Sequence, residues 1–121
     1  MRIETDLDGA VVAAIERHYY HAKEKHPYFC DMVMRDIWTV RGIQDNLKSI
    51  RQHIEQDSAR REVEAMSLLI CEIREFEEAM TLKDTAAAVE EMHDVIAVCL
   101  RIIDVLEGRQ ALGRPKEGGA S

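Results

Sequence analysis

Apolar residues recur every three or four positions through most of this chain, and that spacing predicts four helices. Val11, Val12, Ile15, Tyr19 and Ala22 mark the first, over about residues 6–25. His26-Pro27 ends it, because the residue before a proline is pushed out of the helical region. Met34, Ile37, Trp38, Ile43, Leu47, Ile50 and Ile54 stripe the second, over about residues 31–56. Gly42 weakens that helix by roughly 1 kcal/mol, which its length absorbs. Asp57-Ser58 reads as a break and N-cap before a third helix over about 59–80, and Asp84 as the N-cap of a fourth over about 85–106. The linker Thr81–Asp84 is short, so these last two should be antiparallel neighbours. A single glycine, Gly42, lies between Pro27 and Gly108, which leaves too little turn punctuation for a many-stranded sheet. The expected fold is all-α, a bundle of four main helices in a single domain over residues 1–107. Residues 108–121, with GRPKEGGAS, read as a mobile tail.

The last two helices carry more than one stripe each. At about 100° per residue, Val63, Met66, Leu69, Ile70, Ile73, Phe76 and Met80 form a broad face suited to a main core. Ala65, Leu68, Glu72, Glu75 and Ala79 form a narrower one. On the fourth helix Val89, Met92, Ile96, Cys99, Leu100, Ile103 and Leu106 align, beside a second row of Glu91, Asp94, Val95, Val98, Ile102 and Val105. Carboxylates aimed into a packed region are costly when unpaired. Two i,i+3 acid pairs on adjacent helices can instead share a dication, and an oxygen-only set suits Mg²⁺ or Mn²⁺. The competing reading is that such pairs belong to a solvated surface, which 23 acidic residues make easy to find by coincidence. Two stripes per helix also exceed what one small bundle hides, which points to a homo-oligomer.

Composition narrows the function further. The chain has 121 residues, enough for one domain with its own core. A net charge of −7 argues against a nucleic-acid-binding surface, but a bound dication can reverse the local field and admit a phosphate substrate. The three cysteines, Cys30, Cys71 and Cys99, have no CxxC spacing and fit a reducing compartment. No apolar run is long enough to span a membrane, and MRIETDLDGA lacks the order of a signal peptide. The expected location is cytoplasmic.

At the acid pairs the chain resembles the all-α nucleoside triphosphate pyrophosphatases, the MazG-like superfamily, which carries EExxE on one helix and ExxD on the next. Cys71-Glu72-Ile73-Arg74-Glu75-Phe76-Glu77-Glu78-Ala79 is similar to the first motif, and Glu90-Glu91-Met92-His93-Asp94-Val95-Ile96 to the second. The resemblance spans about Val63 to Leu106. It implies Mg²⁺-dependent hydrolysis of a nucleoside triphosphate to the monophosphate and pyrophosphate. It also implies Glu72, Glu75, Glu91 and Asp94 as metal ligands, with Glu75 as the alternative catalytic base, and assembly as a homodimer or homotetramer. Cys71 departs from the pattern: it stands at the first acid of EExxE, so any supporting role of that acid is lost while both metal-facing positions survive. The alternative function is a non-catalytic helical oligomer binding a nucleotide or a protein partner, with Cys71 marking decay of the site.

Other residues carry weaker signals. Arg101, two turns after Asp94, is a candidate phosphate contact or an ordinary ion-pair partner. Trp38 is a candidate base-stacking residue or simply core. His18, His21 and His26 with Tyr19, Tyr20 and Tyr28 form either a pocket mouth or an amphipathic helix end. Arg74, Lys83 and Arg109 read as solvated charges. Glu90 and His93 make a single ExxH where a di-iron bundle needs two, and His93 falls away from the other acids.

Overall fold

The computed structural model describes residues 9–28, 33–35 and 39–111. Four helices account for nearly all of them: α1 (Gly9–Lys25), α2 (Val40–Ala59), α3 (Ala65–Thr81) and α4 (Thr85–Ala111). No strand occurs among the described residues, so the all-α class is met. None of these helices is long and apolar enough to cross a membrane. The chain divides into two compact units, Met1–Val33 and Met34–Ser121.

The first unit holds α1, which ends where expected: His26 N–H reaches back to the Ala22 carbonyl at 2.9 Å and Pro27 blocks continuation. Its aromatic end is exposed. Tyr19 and Tyr20 meet edge to face, and the Lys23 ammonium lies 5.0 Å from the Tyr19 ring centre.

In the second unit α2 begins at Val40, well after the expected start near residue 31; residues 33–35 are not helical. The Thr39 hydroxyl caps the helix by accepting from Gly42 N–H at 3.0 Å, so the chain is extended at Thr39 and helical only after it. The other boundary moves too. Asp57 and Ser58 are the last turn of α2, not a break, and α3 starts at Ala65 instead of residue 59. The reason is a buried Asp57 whose carboxylate takes Arg60 Nη2 at 3.0 Å, while its carbonyl accepts from Glu62 N–H at 3.0 Å. Arg61 N–H bonds the Ser58 carbonyl at 2.9 Å, which completes a Schellman ending with Arg61 at φ 59°.

The end of α3 repeats this device. Asp84 N–H bonds the Ala79 carbonyl at 2.9 Å, Lys83 N–H bonds Met80 at 3.1 Å, and Lys83 sits at φ 61°. Lys83 is therefore a left-handed helix stop, a role its reading as a solvated charge missed. Asp84 then caps α4 as expected, its carboxylate accepting from Ala87 N–H at 3.0 Å. A side chain in the left-handed region costs about 1–2 kcal/mol, and glycine's greater freedom in the unfolded chain offsets part of its advantage. Lys83→Gly should therefore stabilise the protein by roughly 0.5–1 kcal/mol in urea unfolding. α4 runs on to Ala111, so residues 108–111 belong to the helix and not to a tail; residues 112–121 lie outside those described.

α3 packs between α2 and α4. Against α2 it buries Cys71 on Ile43 and Leu47, with Ile50 and Ile54 alongside. Polar bridges flank that core: Gln44 Nε2 to Glu78 at 3.0 Å, Arg74 Nε to Asn46 at 2.9 Å, and Arg51 Nη2 to Glu75 at 2.7 Å. Arg74, also 2.9 Å from Glu77, is thus an interhelix tie and not a free surface charge. Towards α4, Ala79 and Ala88 are buried on either side of the tight turn, where small side chains let the backbones approach. α2 covers the Cys71 side of α3, and the broad faces expected to form the main core are buried only in part. Met66, Ile70, Val89, Met92, Ile96 and Leu106 are exposed.

Candidate metal centre

The helical repeat places Glu72 and Glu75 one turn apart on α3, and Glu91 and Asp94 one turn apart on α4. The antiparallel hairpin through Lys83 and Asp84 brings the two pairs face to face. Glu72, Glu91 and Asp94 each direct one carboxylate oxygen into a common space, all three lying within 4.8 Å of one another. Ligands on opposite sides of an octahedral Mg²⁺ are about 4.2 Å apart, twice the Mg–O distance. Neighbouring ligands are about 3 Å apart, so the three oxygens must draw together to close on one ion.

Burial makes the cluster unlike a solvated acidic surface. Glu72 and Glu91 are half-buried, and Oε2 of each is shut off from solvent with no hydrogen-bond partner. A buried acceptor without a donor costs about 1–3 kcal/mol, more when charged. The carboxyl of Glu72 is pushed up to about 7, first by burial and then by the negative charges of Glu75, Asp94 and Glu91. Glu91 is also raised, by burial first and then by the neighbouring Glu75. Two orphaned buried oxygens and mutual repulsion are both relieved by one cation, so the donor set fits a hard dication. Asp94 is exposed and places the cluster at the surface, within reach of an incoming ligand.

Glu75 does not join the three. Its Oε2 accepts from Arg51 Nη2 at 2.7 Å, with the Glu75 side chain 23% exposed and Arg51 53%. Sequence reasoning missed Arg51. The available signal was its place one turn after Leu47 on the α2 stripe, at the edge of the face that meets α3.

The remaining candidates separate from this site. Arg101 is exposed and lines an open cleft of about 320 Å³ with Leu68, Val98, Ile102 and Val105; it has no ion pair among the described residues. Trp38 lies outside the described residues. Cys71 points into the α2 contact instead of the acid cluster, and burial raises its thiol. The position where the first acid of EExxE would fall is thus a core position in this chain. Glu90 and His93 are exposed and 3.8 Å apart, away from the cluster, as their place on the helical wheel predicts. No protein-family model, curated protein or solved structure matches the chain.

Proposed function

We propose that this protein is a Mg²⁺-dependent nucleoside triphosphate pyrophosphohydrolase of the all-α, MazG-like kind, releasing a nucleoside monophosphate and pyrophosphate. The observation that carries the reading is the convergence of Glu72, Glu91 and Asp94, two of them with a buried unpaired oxygen, at the positions where EExxE-like and ExxD-like segments face each other. These three residues would hold Mg²⁺, or Mn²⁺ in its place. The bound ion supplies charge neutralisation of the triphosphate and acidification of water. Glu75, beside Glu91 and not part of the three, would accept a proton from the attacking water or complete the ligand set. Exposed Asp94 marks the side from which a phosphate chain enters. The loss of an acid at Cys71 leaves these roles in place, because that side chain faces α2.

The test is pyrophosphate release from a panel of ribo- and deoxynucleoside triphosphates, with and without Mg²⁺. Metal-dependent release that disappears in Asp94→Asn is the expected result. No release from any nucleotide, with the fold intact, would leave the alternative: a non-catalytic helical oligomer that binds a nucleotide or a protein partner.

The uncovered apolar face favours a homo-oligomer in either case. Met66 at 52%, Val89 at 50% and Ile96 at 44% exposure belong to rows that the helical repeat sets along one side of the α3–α4 hairpin. Pairing this face with a second copy, as a homodimer or in a homotetramer, would bury it. Ile96→Glu should therefore shift the protein to monomer in light scattering at micromolar concentration, because a charge in the middle of such an interface is left unpaired.

A further inference from the structure

The fourth acid of the cluster touches the others but is also paired with a residue from a different helix. Arg51 on α2 donates to Glu75 Oε2 at 2.7 Å, while Glu72, Glu91 and Asp94 alone gather their oxygens within 4.8 Å. Glu75 nevertheless lies close enough to Glu91 to raise its pKa. One carboxylate therefore stands between two positive claims: the guanidinium that now holds it and any dication seated among its neighbours.

Resting on the metal-site reading above, we infer that Arg51 is a built-in counterion that competes with the metal for Glu75. In the metal-free protein it neutralises the fourth carboxylate at the edge of the cluster. A dication recruits Glu75 only by displacing the guanidinium. The pair is suited to exchange. Arg51 is more than half exposed, and a solvent-exposed ion pair contributes at most about a fivefold change in an equilibrium. Its 2.7 Å bond to Glu75 is the strongest hold on the guanidinium, with the Cys71 thiol a weaker neighbouring partner. Arg51 is thus a positioning residue that sets how tightly, and with how many carboxylates, the site takes its ion.

The experiment measures Mn²⁺ binding to the full chain by the electron paramagnetic resonance signal of free Mn²⁺, for wild type, Arg51→Gln, Glu75→Gln and the double variant. Arg51→Gln should bind Mn²⁺ roughly fivefold tighter than wild type. In the Glu75→Gln background the same change should shift affinity by less than about twofold, because the carboxylate through which Arg51 acts is gone. An equal gain in both backgrounds overturns the proposal, since Arg51 would then act only as a distant charge. An unchanged or weaker affinity in Arg51→Gln overturns it too. Absence of Mn²⁺ binding in every variant removes the metal site and the counterion together, whereas binding that ignores Arg51 removes the counterion alone. Helical circular dichroism confirms that each variant is folded. A crystal grown with Mn²⁺ adds a direct check: Arg51 still paired with Glu75 beside a bound ion would also count against competition.

Discussion

Glu72→Gln should abolish Mg²⁺-dependent pyrophosphate release, by about a hundredfold or more, and at the same time make the metal-free protein more stable at about pH 8. The two effects have one cause. Glu72 holds a half-buried carboxylate oxygen with no donor, among three other acids. Without a cation its charge is a burden; with one it is a ligand. The sign follows from proton counts. Between the ordinary glutamate value of about 4.3 and the folded value of about 7, the folded chain binds more protons than the unfolded chain. Stability of the metal-free wild type therefore falls as pH rises through that window, and levels off above it. Glutamine carries no charge to bury, and its amide can donate to the neighbouring Asp94 carboxylate. The variant should melt a few degrees above wild type at about pH 8 and show no such gain at about pH 4, where Glu72 is neutral in both states. Added Mg²⁺ should raise the melting temperature of wild type by mass action and leave the variant nearly unmoved. Thermal melts at the two pH values, with and without Mg²⁺, check all of this. A wild-type melting temperature that climbs between pH 5 and 8 without metal would falsify the electrostatic account.

Leu47→Ala should cost roughly 2–5 kcal/mol, a large part of the total stability of a domain this size. Leu47 is 0% exposed and, with Ile43 and Cys71, makes up the buried cluster that joins α2 to α3. So few buried groups hold these two helices that the loss of three heavy atoms has no large core to absorb it. Urea unfolding should show the drop. Leu82→Ala, at a position 56% exposed beside the α3–α4 turn, is the control and should stay within about 0.5 kcal/mol of wild type. A small effect at Leu47 would mean that α2 is held mainly by Gln44, Asn46 and Arg51 through their polar bridges. The consequence reaches the acidic cluster, because the same contact carries Arg51 to Glu75.

Much of the helical layout could be read along the chain. Helical spacing located all four helices, Pro27 stopped the first, and Asp84 announced the fourth, because these are local effects that act within one turn. The same spacing put two acids on one face of each of the last two helices. Boundaries set by competing local bonds were misread: the Thr39 hydroxyl delays α2, and the Asp57–Arg60 pair prolongs it past the residues that looked like its end. Periodicity reports which faces are apolar but not which neighbour covers them. Only packing decided that α2 lies on Cys71 and leaves Met66, Val89 and Ile96 uncovered. Only packing, likewise, turned four equivalent acids into three that converge and one that is tied to Arg51. That division depends on a residue more than twenty positions away in the chain, and no pattern within a single helix encodes a contact made between two.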